Sequence, residues 1–464
     1  MHDEKGRLFA QRVEGLRMRL RSIWTIGLSF AAAGVVSAQN PGPMAPPAMP
    51  GPGFFPAAQG PVMGVPSSLV FPDPSPHMPG PSAPYSEKPP RYPVDENGNR
   101  AINWFYSQSE LLWGWTNGGE NVRPIATRGN TLGLGILGEP GTSSLGDIDD
   151  FGRANGFRQT IGIWLTPSRK FGFEVGGTVL ERRADGFTVA SDGSPGSAIL
   201  SRPFFDATTD AENARLIAYP GAFTGRIDAQ SRQRTYGLES TFIFNAIERD
   251  GFSLDLLSGF RFLALEEGLT VTDRSKAIGV GLISYNGMLS GPPGAVVIRD
   301  RAATANRFYG YSIGLRASGE FSRVSYAVQT KIALGAVRQR QFTEGSTSFL
   351  PDGSTVGNVT PTGMLYFPAN SGLQNRTKFA VVPELGLKLG YRLTHRISTY
   401  MGYDVTFLSD AVRPTDTLSP SINPTRMPSS PTFGVPFGPN VPTGGMRTSD
   451  FLLQTFSSGV MVVF

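Results

Sequence analysis

FGFEVGGTVLE, residues 171–181, alternates Phe171, Phe173, Val175 and Val179 with Glu174, Gly176 and Thr178. A period of two sends every apolar side chain of an extended strand to one face and every polar or small one to the other. Just upstream, FRQTIGIWL at 157–165 sets Phe157, Ile161, Ile163 and Leu165 against Arg158, Thr160 and Gly162. Only 166–170 separates the two segments, so they form an antiparallel pair joined by a tight turn. Further upstream, FYSQSELLWGW at 105–115 sets Phe105, Leu111, Trp113 and Trp115 against Gln108, Glu110 and Gly114. The same alternation returns at 235–244, 252–265, 308–320, 324–335, 379–391, 397–408 and 451–464. Each segment has about the 9–11 residues, or slightly more, that a tilted strand needs to cross a bilayer. That makes ten segments, an even number.

The connections between them alternate in length. Short links fall at 166–170, 245–251, 321–323 and 394–396, and long ones near 116–155, 183–231, 267–306, 338–377 and 411–448. A soluble sandwich has no reason to collect its long loops at one end. A barrel with short periplasmic turns and long extracellular loops does. Closure follows from the solvent: in hydrocarbon every backbone N–H and C=O must be paired, so a strand-built spanning protein has no free edge. The expected fold is therefore all-β, a closed antiparallel up-and-down transmembrane barrel of about ten strands over 103–464. Aromatics at the strand ends predict two interfacial girdles. Trp113, Trp115, Phe157, Tyr309, Phe379, Phe407 and Phe451 mark the outer one, and Phe173, Phe244, Phe252, Tyr326 and Tyr391 the inner one.

With the apolar face on lipid, the charged residues of the other face point into the lumen: Arg158, Glu174, Glu239, Arg261, Arg316, Lys331, Glu384, Lys388 and Asp404. The two signs are nearly balanced. Such a set either pairs up to fill a narrow barrel or lines a constriction that selects solutes. Eight strands leave room only for side chains and sixteen leave an aqueous channel, so ten strands favour a filled or very narrow lumen. The long loops fold inward as a plug or outward as a binding surface.

The N-terminus carries an export address. Arg17, Arg19 and Arg21 precede the apolar run IWTIGLSFAAAGVV and the small-residue site Val36-Ser37-Ala38, so 1–38 is read as a cleaved signal peptide. Met18 is an alternative start. Nearly half of the 38 prolines fall between 39 and 92, so the Pro/Gly-rich segment 39–102 is expected to be a disordered periplasmic tether. The final strand, FSSGVMVVF, ends on an aromatic carboxylate at Phe464, which fits edge recognition by an outer-membrane assembly machinery.

Several segments together, WFYSQSELLWGW, LGILGEPGTSSLG, LDLLSGFRFLALEEGL, NRFYGYSIGLR, FAVVPELGLKLGYRLT and VRPTDTLSPSINPTRMP, resemble the BBP7 family of outer-membrane β-barrel porins. The likeness runs from about Trp104 to Phe464. VRP and NPT in the last long loop are its most distinctive marks, whereas family members usually carry a first strand richer in tryptophan than LLWGW. The resemblance implies an outer-membrane barrel and says little about what is transported.

Other chemistries find little support. With no cysteine, thiolate metal sites and disulfides are excluded. A formal charge of +5 over 464 residues gives no footing for nucleic-acid binding. GLGILG, with Gly133, Gly135 and Gly138, matches a dinucleotide fingerprint, but Pro140-Gly141 follows and no helix pattern does, so it reads as a loop turn. His395 sits in the turn LTHRIS with no serine selected as its nucleophile, so it reads as a solvated turn residue. The expectation is thus an exported outer-membrane barrel without cofactor or enzymatic activity, embedded in outer-membrane lipid. A porin-like role for small solutes heads the functional readings, and a non-conducting barrel that binds or builds through its extracellular loops is the alternative. The sequence leaves the oligomeric state open.

Overall fold

The computed structural model describes residues 104–118, 123–146, 152–249, 251–419 and 421–464. The signal peptide expected at 1–38 and the Pro/Gly-rich segment expected at 39–102 lie outside these residues.

Ten long strands carry the fold: β1 Phe105–Thr116, β2 Ala154–Trp164, β3 Phe171–Leu180, β4 Phe223–Arg249, β5 Phe252–Ala277, β6 Ala295–Phe321, β7 Val324–Leu350, β8 Gly372–Arg392, β9 Ile397–Ala411 and β10 Ser449–Val463. Each pairs antiparallel with its neighbour in the chain, from β1 with β2 to β9 with β10. The ring closes where β10 meets β1, from Tyr106 opposite Val463 to Thr116 opposite Leu453. Phe464 donates its N–H to the Phe105 carbonyl at 2.9 Å, which extends that seam to the last residue. The short links, 165–170, 250–251, 322–323 and 393–396, all lie at one end, and the long ones, 117–153, 181–222, 278–294, 351–371 and 412–448, at the other.

The facing follows the alternation. Val175, Leu256, Ile313, Leu385 and Met401 are exposed on the outer wall, where lipid surrounds them. At the outer end of that wall the rings touch, with Phe262 5.1 Å from Tyr309 and 6.0 Å from Tyr236. At the inner end Phe171 lies 5.4 Å from Phe244 and Phe173 lies 4.8 Å from Phe242. One girdle assignment fails. Phe451 is fully buried and faces the lumen, because the β10 register places Leu452 and Gln454 outward and Phe451 and Leu453 inward. A terminal aromatic at the edge of an alternating run carries no mark of its facing until the register is known.

Five strands run well past the segments read from the sequence. β4 starts at Phe223, β5 continues to Ala277, β6 starts at Ala295, β7 continues to Leu350, and β8 starts at Gly372. Most residues there are polar or small and the strict apolar–polar alternation lapses, so hydropathy alone reads these stretches as loop. Ladder pairing with a neighbour of equal length holds them as strand above the membrane. A head is built on this rim. Its small sheet centres on Ile199–Asp206, flanked by Ala126–Gly129, Ala211–Ala218 and, in parallel, Ser421–Ile422. Two apolar clusters pack beneath it, one around Ile217, Ile227 and Val271 and the other around Ile298, Phe367 and Met427. GLGILG lies in turns of this head, with Gly135 and Gly138 at φ +78° and +88°. That left-handed conformation is what a glycine turn supplies.

Candidate functional site

Among the described residues, the lumen gathers the charges of the membrane-spanning strands. Inward positions alternate with lipid-facing ones on every strand, so a charge at the wrong parity would sit in hydrocarbon, at a cost of roughly 2–4 kcal/mol for Arg or Lys at the midplane. All nine charged residues expected in the lumen meet there as ion pairs. Arg261 of β5 bridges Glu239 at 2.9 Å and Glu384 at 2.5 Å, and Lys331 of β7 bridges the same two carboxylates at 2.6 and 3.6 Å. These four close a ring of alternating sign. Arg316 of β6 reaches Glu174 of β3 with two parallel bonds of 2.9 and 2.8 Å, and Tyr106 donates its hydroxyl to the same carboxylate at 2.5 Å. Arg158 of β2 meets Asp404 of β9 at 2.8 Å. These partners sit three strands apart around the ring, so the bridges span the lumen.

Glu110 of β1 completes the set and was not among the residues singled out from the sequence. Its carboxylate takes Lys388 at 2.6 Å and Arg158 at 3.2 Å, and its side chain is 0% exposed. Its parity with Gln108 and Gly114 already put it on the inner face, and that was the available signal. Asp255, buried and bonded by the Asn245 amide at 2.9 Å, and Tyr400, whose ring lies 4.9 Å from the Lys388 ammonium, belong to the same layer. Both share the inward parity of Arg261 and Asp404 on their own strands, and only the side chains they meet across the bore lay beyond the sequence.

Toward the extracellular end the lining changes character. Leu265, Phe308, Val337, Val382, Leu408 and Phe451 are all 0% exposed and pack with Leu112, Leu180 and Leu453 into one apolar cluster. Leu263 and Leu265 follow Arg261 on β5, and Leu408 follows Asp404 on β9, so this layer lies directly above the ion pairs. A dry apolar constriction bars ions because it offers no replacement for their hydration.

The last long loop caps the apolar layer. Arg413 grips Glu267 with bonds of 2.8 and 3.1 Å and donates to the carbonyls of Asn117 and Gly118 at 3.0 and 2.8 Å. Its guanidinium lies 5.9 Å from the Phe451 ring. Beside it, Asn306 and Val412 exchange two hydrogen bonds of 2.8 Å. The VRP stretch therefore anchors this loop over the apolar layer. NPT has a separate role: the Asn423 side chain accepts from the Thr425 N–H at 2.9 Å and donates to the carbonyls of Phe437 and Pro439, folding the rest of the loop on itself.

A second loop is pinned by Arg202, which bridges Asp273 at 2.9 Å and Asp300 at 3.0 Å while 2% exposed. Burial disfavours that charge, but Asp300 and Asp273 outweigh it and hold the guanidinium above its ordinary pKa. His395 lies exposed in the turn 393–396. Among the described residues no cluster of His, Asp or Glu is arranged to hold a metal ion.

A family model described as "Putative beta barrel porin-7 (BBP7)" matches residues 106–464. No curated protein matches the chain. Among solved structures it is similar to the outer membrane protease OmpT of Escherichia coli, at 11% identity and a TM-score of 0.34 over 78% of this chain and 97% of that one. It is also similar to a Pseudomonas aeruginosa FadL homologue, at 12% identity and a TM-score of 0.23 over 78% and 90%. The toluene transporter TodX of P. putida matches at 8% identity and a TM-score of 0.20 over 78% and 91%.

Proposed function

The chain belongs to the BBP7 β-barrel family of the outer membrane, and on that footing we propose that it is a barrel sealed at rest, whose loop-built head is its working surface. The observation that carries this reading is the fully buried apolar layer between the ion-paired lumen and the extracellular mouth. In the proposed state Arg158, Glu174, Glu239, Arg261, Arg316, Lys331, Glu384, Lys388 and Asp404 brace the wall from within rather than select solutes. No catalytic role is assigned to any residue. Phe464 serves as the assembly signal, and the barrel follows a signal peptide at 1–38 and a periplasmic tether at 39–102.

A porin-like channel for small solutes is the second reading. It is favoured by the family's own description and by the residual exposure of Lys388 and Arg316, whose side chains are 30% and 22% exposed. Conduction would then require the Arg413 stopper to leave its seat. Planar-bilayer recording of the purified barrel separates the two. Absence of conductance steps supports the sealed barrel, and steady ohmic steps from the unmodified protein would overturn it.

A further inference from the structure

On the outer wall, immediately above the aromatic girdle, four arginines carried by β4, β6 and β7 stand at matching heights. Tyr236, Phe262, Tyr309 and Phe379 mark the rim of the apolar band: Phe262 is paired with Tyr309, and Ala336 with both Tyr309 and Phe379. One step further out, Arg307 of β6 stands directly opposite Arg338 of β7. Arg340 follows two residues on, and Arg234 of β4 is two residues beyond Tyr236. Arg234, Arg307, Arg338 and Arg340 are all exposed.

Like charges placed directly across a ladder repel, so the Arg307–Arg338 pair is unfavourable unless an anion lies between. The protein supplies little. Glu266 is the one carboxylate bonded into this group among the described residues; it sits 3.6 Å from Arg307 and accepts from the Tyr236 hydroxyl at 3.0 Å. Arg234 lies over the Tyr236 ring at 5.1 Å. Among the described residues no carboxylate lies within ion-pair distance of Arg338 or Arg340. Ala264, Ala303 and Ala305 are the small residues set among these long side chains.

The height decides what can occupy the site. From Val324 at the inner rim to Arg338 the strand climbs fourteen residues. At about 2.5 Å per residue along the membrane normal for a tilted strand, that is about 35 Å, just beyond an apolar band of about 25 Å and its aromatic edge. The guanidinium groups therefore stand at the level of the outer-leaflet headgroups. A guanidinium matches phosphate oxygens with paired N–H donors, a geometry an ammonium lacks.

We propose that Arg234, Arg307, Arg338 and Arg340 form a docking site for a phosphate-bearing headgroup of an outer-leaflet lipid, with the acyl chains lying on Tyr309, Leu334 and Phe379. The phosphate neutralises the opposed Arg307 and Arg338, and the lipid fixes the height of the barrel in the membrane.

The full-length mature protein is reconstituted in phosphatidylcholine nanodiscs doped with diphosphoryl lipid A, or with diacylglycerol as the uncharged control, and retained lipid is measured by native mass spectrometry. Wild type retains the diphosphoryl lipid at least tenfold over diacylglycerol, and R307Q/R338Q/R340Q loses at least tenfold of that retention. The triple lysine variant R307K/R338K/R340K keeps the charge and loses less. Heat-modifiability on a gel shows that each variant is folded; should the triple variant not assemble, R338Q alone is read for a smaller loss. Equal retention by wild type and the glutamine variants, or competition by millimolar inorganic phosphate alone, overturns the proposal.

Discussion

Replacing Glu110 with Gln removes a fully buried carboxylate from between two cations, Lys388 at 2.6 Å and Arg158 at 3.2 Å. Breaking a buried ion pair from one side costs roughly 3–5 kcal/mol, because the remaining charge loses its partner without regaining water. Two features hold the expected loss to the lower end. Arg158 keeps Asp404 at 2.8 Å, and Lys388 keeps the Gln108 side-chain oxygen at 3.3 Å. The expected destabilisation is therefore about 3 kcal/mol, roughly 150-fold in the folding equilibrium. With a urea dependence of about 3 kcal/mol per molar, the unfolding midpoint falls by about 1 M. The assay is reversible urea unfolding in lipid vesicles, followed by tryptophan fluorescence and by the heat-dependent gel shift. A cycle with K388Q separates the pair from its surroundings: the double variant loses less than the sum of the singles, since it strands no lysine. A midpoint within about 0.2 M of wild type, with the gel shift intact, would refute a load-carrying ion-paired lumen.

On the lipid face, V175R and L256R each place a guanidinium in hydrocarbon and cost about 2–4 kcal/mol, read as a smaller heat-modifiable fraction. Facing alone would make T178R harmless, but Thr178 accepts a hydrogen bond from Arg158 at 3.3 Å, so a second guanidinium there crowds the first and lowers the urea midpoint. F451A empties a fully buried site in the apolar layer and costs about 3–5 kcal/mol; an unchanged midpoint would return Phe451 to the lipid girdle. R413A leaves Glu267 buried without its cation, so the loop 412–448 should be cut faster by protease on intact cells, while a cleavage rate equal to wild type would mean that the stopper is held elsewhere.

How much of this was legible in the chain depends on the range of the interaction. Phe171 to Val179 and Phe157 to Leu165 report their facing within ten residues, because alternation is local and lipid penalises the wrong parity. The inward parity of Arg158, Glu174 and Lys331 follows from the same rule, and so did that of Glu110. Which cation meets which carboxylate did not follow: Arg316 and Glu174 lie 142 residues apart, and only the closed ring sets them across from each other. The extended rim of β4 to β8 was missed because strict apolar–polar alternation lapses there, and ladder pairing with a long neighbour is what makes it strand.

The sequence by itself determined strand number, facing, the short-turn end and the long-loop end, since each rests on a two-residue period and on distances along the chain. Tertiary structure decided which lumen charges pair, where Arg413 and Phe451 go, and that Arg307 stands against Arg338. Those depend on register and on the width of the bore, which exist only once β10 has closed on β1.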